Sequence, residues 1–138
     1  MMGMSPCLLE IFMSETKYTE QHEWLRLDAD GLVTVGITDY AQDQLGDLVF
    51  VQLPKVDSDL EQGAEAAVIE SVKTASDIMM PIAGHIVEIN ENLIDAPGTV
   101  NEDALGDGWF FRMRVEDPGV LDQLMDAAGY QEFISKQD

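Results

Sequence analysis

The sequence has a single cysteine, Cys7, which rules out an intramolecular disulfide and fits a reducing, cytoplasmic setting. Positive charge is nearly as scarce: 7 Lys and Arg stand against 27 Asp and Glu, a formal net charge of -20. Such a surface repels phosphate backbones and anionic lipid, so nucleic acid and membranes are poor partners. Basic patches on other proteins are the natural ones, approached fast and in a salt-sensitive way. No apolar run is long enough to span a bilayer. The two histidines, His22 and His85, lie far apart, and no Cys or His cluster has metal-ligand spacing. No nucleophile elbow surrounds a serine, and the glycines form no phosphate loop. Acidic pairs such as Asp28/Asp30, Asp57/Asp59 and Glu102/Asp103 fall in turn-like segments and read as surface charge. Nothing marks an enzyme.

What is present is an ordinary globular composition, 46% hydrophobic, over a length that suits one domain. The run from Met1 to Met13 is mildly apolar, carries no Lys or Arg and contains Glu10. It therefore matches neither a secretory signal nor a transit peptide. Met13 followed by Ser14-Glu15-Thr16 resembles a start, so residues 1–13, Cys7 among them, are expected to be a disordered or non-native extension. Residues 14–138 are expected to form the single domain.

From Tyr18 onward the pattern is mostly strand. Glu23 to Leu27 alternates, Asp28 to Gly31 supplies a turn, and Leu32 to Ile37 resumes. Thr38 or Asp39 can cap a short helix through Leu45 that Gly46 ends. Leu48 to Leu53 is the next strand, closed by Pro54. Asp57 to Gly63 reads as a polar connection. Two apolar runs, Ala66–Val72 and Ser76–Pro81, flank a short Lys73-Thr74-Ala75 apex. Ile82 to Asn90 forms another strand bent at Gly84, Glu91 to Gly108 is loop-like, and Trp109 to Val115 is a late strand. Helical spacing then runs from Asp117-Pro118 through Met125, and again from about Ala127 to Ser135. Gly31 and Gly84 each precede a strand, a faint echo that suggests two sheet halves packed as a sandwich. Trp24 and Trp109 read as core aromatics, although Trp24 could also border a cleft.

Between Val56 and Phe111 the only Lys or Arg is Lys73, amid twelve acidic residues. A lone cation can simply balance charge, but this one falls where one apolar strand ends and the next has not begun. A side chain at a hairpin tip points into water, clear of both sheets, as an acceptor for enzymatic acylation must. Amide formation would remove the ammonium charge and leave Glu70 and Asp77 as recognition marks.

Glu70-Ser71-Val72-Lys73-Thr74-Ala75-Ser76-Asp77 resembles the lipoylation signature of the glycine cleavage system H-protein family. Lys17-Tyr18-Thr19-Glu20 with His22-Glu23-Trp24 resembles the family's opening. Val35 to Gln42 with Leu45-Gly46-Asp47 resembles its second block. Val100-Asn101-Glu102-Asp103, Gly108-Trp109 and the tail from Ala127 to Phe133 resemble its end. The likeness spans about Lys17 to Ile134. It implies a mostly β, barrel-sandwich hybrid fold of the lipoyl/biotinyl type, with short helices and a C-terminal helical segment. It implies a non-catalytic carrier with lipoate amide-linked to Lys73, loaded by a lipoyl ligase or octanoyltransferase. It further implies passage of an aminomethyl intermediate from glycine decarboxylase (P protein) to aminomethyltransferase (T protein), then reoxidation of the dithiol by dihydrolipoamide dehydrogenase (L protein), in a bacterial cytoplasm. Glu70 and Asp77 are candidates for ligase recognition or arm contact, and His22 and Glu23 for cleft contacts. Met79-Met80 and His85 depart from the family pattern without touching the Lys73 block.

Other readings remain open at this level. Biotin acceptors favour Met on both sides of the lysine, whereas Val72 and Thr74 flank Lys73. Lipoyl domains of 2-oxoacid dehydrogenases often carry Asp before and Ala after it. A relay of octanoyl or lipoyl groups to other complexes, or an acidic interaction module with an unmodified Lys73, are the alternatives.

Overall fold

The computed structural model describes residues 16–28, 31–116 and 118–136. The expected extension over residues 1–13 lies outside them, as do Cys7, Ala29, Asp30 and Asp117. Among the described residues the strands are β1 (Thr16–Tyr18), β2 (Glu23–Leu27), β3 (Leu32–Ile37), β4 (Leu48–Gln52), β5 (Asp59–Leu60), β6 (Glu65–Ser71), β7 (Ala75–Met79), β8 (Gly84–Ile89) and β9 (Phe111–Arg114). They form a six-stranded sheet in the order β1-β2-β3-β9-β8-β5 and a three-stranded sheet in the order β4-β6-β7, with every pairing antiparallel. Helices α1 (Asp39–Leu45), α2 (Asn92–Asp95), α3 (Thr99–Glu102) and α4 (Ala127–Ser135) are short, and a 3-10 segment spans Pro118–Gln123. This is the mostly β, lipoyl-type architecture with a C-terminal helix.

The sheets share one core. Val33, Val35 and Ile37 of β3, alternating as strand geometry requires, meet Val51, Ile69 and Ile78 of the smaller sheet, with Ile86, Phe111 and Met113 completing the layer. The other side of β3 is covered too. Trp24, 1% exposed, stands opposite Gly36, and a β-carbon there would lie 2.8 Å from three indole atoms. Only glycine leaves room for the ring. The indole Nε1–H donates to the Ala104 carbonyl at 2.9 Å, so no polar atom of Trp24 is lost by burial.

Helix α1 begins and ends where its residues dictate: the Thr38 hydroxyl accepts the Ala41 N–H, and Gly46, at φ 83, takes the C-cap. Five expectations change. Residues 57–63 include β5, which pairs Asp59 with His85 and Leu60 with Gly84. Two residues, Asp59 and Leu60, on a sheet edge are too few to show alternation. Residues 91–108 hold α2 and α3, each one turn, which plug Leu93 and Val100 fully into the core. One turn is too short for helical periodicity to register. The Gly31 and Gly84 strands, β3 and β8, flank β9 in the same sheet rather than building opposed halves. Ala75 already belongs to β7, so the turn is Val72–Thr74. The segment opened by Pro118 is 3-10 in form.

Candidate functional site

Lys73 lies at the tip of the β6–β7 hairpin and is exposed. The tip has neither Gly nor Asn, and neither Val72 nor Lys73 adopts the left-handed backbone that tight hairpin turns favour. Ser71 compensates. Its hydroxyl oxygen accepts the N–H groups of Lys73 (3.1 Å) and Thr74 (3.0 Å), while its own N–H donates to the Thr74 carbonyl at 2.7 Å. The tip is tied to the rest of the chain by the Val72 N–H, which donates to the Asp47 carbonyl at 3.0 Å. Val72 itself is 66% exposed. The lysine side chain runs over Gly46, where a β-carbon would sit 3.2 Å from Lys73 Cε. An amine so presented is accessible to an acylating enzyme and held to a defined place.

Beside the hairpin is a cleft of about 380 Å³. Ile37, Leu45, Ile69, Ile78 and Met79 give it apolar walls, and His22, Glu23 and Asp77 supply polar groups. The structure therefore brings together three of the residues singled out in the sequence. Glu70 is not among the lining residues; its register with Phe50 and Ala75 places it on the outer face of the smaller sheet, exposed. Trp24 does not line the cleft either. A second hollow, of about 450 Å³, near Asn90 and Trp109 shares no lining residue with it.

Glu23 is 3% exposed, and burial pushes its carboxyl up to about 7, against the pull of a hydrogen bond from Thr19 Oγ1 at 3.1 Å. The Thr19 hydroxyl also accepts the N–H groups of Gln21 and Glu23 at 3.2 Å each, which fixes the turn that delivers the carboxyl. A carboxyl held near neutrality in an apolar cleft can ionise when a cation arrives and lose its charge when the cation leaves. His22 has left-handed backbone (φ 69), which histidine tolerates better than most residues. Its ring lies 4.7 Å from that of Tyr40, and its Nδ1 pairs with the Tyr130 hydroxyl at 2.8 Å. Burial lowers its basicity, favouring the neutral imidazole. Tyr130, from α4, also bonds Thr38 Oγ1 at 2.6 Å and stacks on Tyr18 at 4.7 Å. Tyr40, Gln44 and Tyr130 were not legible as site residues, because from sequence they are unremarkable members of two short helices.

His85 lies elsewhere, with Nδ1 2.7 Å from Asp59 Oδ1 and Nε2 3.5 Å from Asp57 Oδ1. Among the described residues no group of three or more His, Cys, Asp and Glu side chains is placed to hold a metal ion. None of the helices is long and apolar enough to cross a membrane, again among the described residues.

Comparison with known proteins gives a consistent answer. Residues 16–137 match the family described as Glycine cleavage H-protein. The chain is 54% identical over 126 residues to the glycine cleavage system H protein of Rhodospirillum rubrum, covering 91% of this chain and 100% of that one. It is 57% identical over 122 residues to that of Beijerinckia indica, covering 88% and 98%. Its structure resembles the crystal structure of a glycine cleavage system H protein from Mycobacterium marinum, with TM-score 0.77 at 36% identity, covering 90% of this chain and 97% of that one.

Proposed function

The chain belongs to the glycine cleavage H-protein family, a family of non-catalytic lipoyl carriers, and from this we propose that Lys73 is the residue that bears lipoate, in amide linkage. The observation that carries the proposal is the exposed Lys73 amine on a hairpin tip pinned by Ser71 and Asp47, next to a cleft with apolar walls. The residues fit the group. An acylated lysine at the tip has a free path into solvent, and the cleft offers Ile69, Ile78 and Met79 to an aliphatic chain. When bound, lipoate supplies a dithiolane that undergoes thiol exchange and two-electron reduction.

The chain's own residues supply reach, shelter and recognition. Tethering raises the local concentration of the arm at whichever enzyme the body meets. Glu23 provides a carboxyl that can become a counter-ion for a cationic cargo such as an aminomethyl group, and Asp77 adds a second acidic group on the cleft wall. His22 contributes a neutral imidazole backed by Tyr130. Water excluded from this cleft cannot hydrolyse a labile cargo. Glu70, outside the cleft on the hairpin's outer face, serves as a mark for the loading enzyme, a lipoyl ligase or octanoyltransferase. The carrier is one domain over residues 14–138. It serves glycine decarboxylase, aminomethyltransferase and dihydrolipoamide dehydrogenase in turn, in a bacterial cytoplasm.

The test is the mass of the Lys73 peptide after expression with lipoate and a lipoyl ligase. A lipoyl increment on Lys73 is expected. A biotin-sized increment, or none, overturns the assignment.

A further inference from the structure

We propose that Asn101 is a positioning residue for Lys73: its carboxamide fixes the segment from which the lysine-bearing tip is hung. The proposal rests on the carrier reading of Lys73. Asn101 lies in α3, half-buried, and uses all of its hydrogen-bonding groups on one stretch of chain. Its Nδ2 donates to Gln42 Oε1 at 2.8 Å and to the Gly46 carbonyl at 2.9 Å, and its Oδ1 accepts the Leu48 N–H at 2.9 Å. Those partners bracket Asp47 on both sides.

Asp47 is the residue whose carbonyl receives the Val72 N–H at 3.0 Å. Among the described residues, that is the one backbone bond that runs from the Val72–Thr74 turn to chain outside its own hairpin. Gly46, whose carbonyl Asn101 holds, is also the surface under the lysine side chain. One carboxamide thus sets both the anchor of the turn and the floor beneath Lys73. Asparagine is required for this. Aspartate of the same shape can accept from Leu48, but it cannot donate to Gln42, and it turns a carboxylate toward the Gly46 carbonyl.

The proposal is tested by amide hydrogen exchange and by the kinetics of lipoate attachment. The full chain is used as wild type, Asn101→Ala, Asn101→Asp and Gln42→Ala. Both Asn101 variants are expected to raise exchange at the Val72 N–H about tenfold or more, with Gln42→Ala close to wild type. Amides of Leu25, Val35 and Ile37 in the core are expected to keep their exchange rates. Attachment of lipoate to Lys73 by a lipoyl ligase should slow about three- to tenfold in the Asn101 variants, in kcat more than in KM, since the surfaces that dock are unchanged. Unchanged Val72 exchange, or equal rises at Val72 and in the core, overturns the proposal. If the wild-type chain gains no lipoyl mass, the carrier reading falls, while the Val72 exchange still decides the role of Asn101.

Discussion

The aliphatic end of Lys73 is packed over Gly46, so that a β-carbon at residue 46 would meet Cε at 3.2 Å and Nζ at 3.7 Å. Gly46 also has φ 83 and ψ -163, a conformation essentially confined to glycine. Gly46→Ala is therefore expected to cost about 1–3 kcal/mol in stability and to tilt the lysine off its floor. Thermal melting and a time course of Lys73 lipoylation check both effects. An unshifted melting temperature would show that the backbone strain is absent.

Lys73→Arg keeps the positive charge and the exposed tip but removes the primary amine from which the amide forms. Folding is expected to be unaffected, because no core residue depends on the side chain. Lipoyl mass gain and glycine–bicarbonate exchange with the partner enzymes should both vanish. Exchange at the wild-type rate in this variant would place the attachment site elsewhere.

Glu23 predicts a pH signature. Its folded pKa is raised to about 7, so the folded state holds the proton more tightly than the unfolded chain does. The sign follows: the carboxyl destabilises the fold increasingly as pH climbs from about 4.5 toward 7, and the cost is constant above that. The difference between the folded and unfolded values corresponds to about 3 kcal/mol. Glu23→Gln should thus melt like wild type near pH 4 and several degrees higher at pH 8, as read by melting curves across that range. Equal melting at pH 8 would mean the carboxyl is better solvated than its burial implies.

Asp28 gives the opposite signature. Burial alone would raise its pKa, but hydrogen bonds from Thr34 and Arg26, the Arg26 charge and a bond from Arg112 hold it below the ordinary carboxylate value. Its contribution is present above the unfolded pKa and disappears as pH falls through the folded one. Asp28→Asn is expected to lose about 1–3 kcal/mol at pH 7 and to converge with wild type in acid. A denaturation series from pH 7 down to about 2 decides it; a gap that persists at the acid end would contradict the assignment.

The net charge of -20 predicts salt-sensitive association with partner enzymes. Apparent Kd should rise steadily between about 20 mM and about 500 mM salt, mainly through slower association. A flat titration would assign docking to apolar contacts alone.

Most of the frame was legible because the signals are local. Alternation marked β2 and β3, Thr38 and Gly46 bounded α1, and a break between two apolar runs located Lys73 within one residue of the turn's centre. The cleft was legible only in part. His22, Glu23 and Asp77 came from resemblance, and nothing in the chain's own spacing joins residue 23 to residue 77. Their meeting depends on how the two sheets close over the core. Tyr130 reaches His22 across 108 positions, a pairing that no window of sequence contains. Asn101 hid for a related reason: its partners Gln42, Gly46 and Leu48 are more than fifty positions away, and its own helix is a single turn.

Helix α4 has a consequence for the order of events in biosynthesis. The hairpin with Lys73 leaves the ribosome well before Tyr130, which backs His22 from far along the chain. A nascent chain can display the acceptor lysine before the wall behind the cleft exists. The finished shelter arrives only once Tyr130 has emerged, so modification before that point would attach the arm to a body that has nowhere yet to lay it.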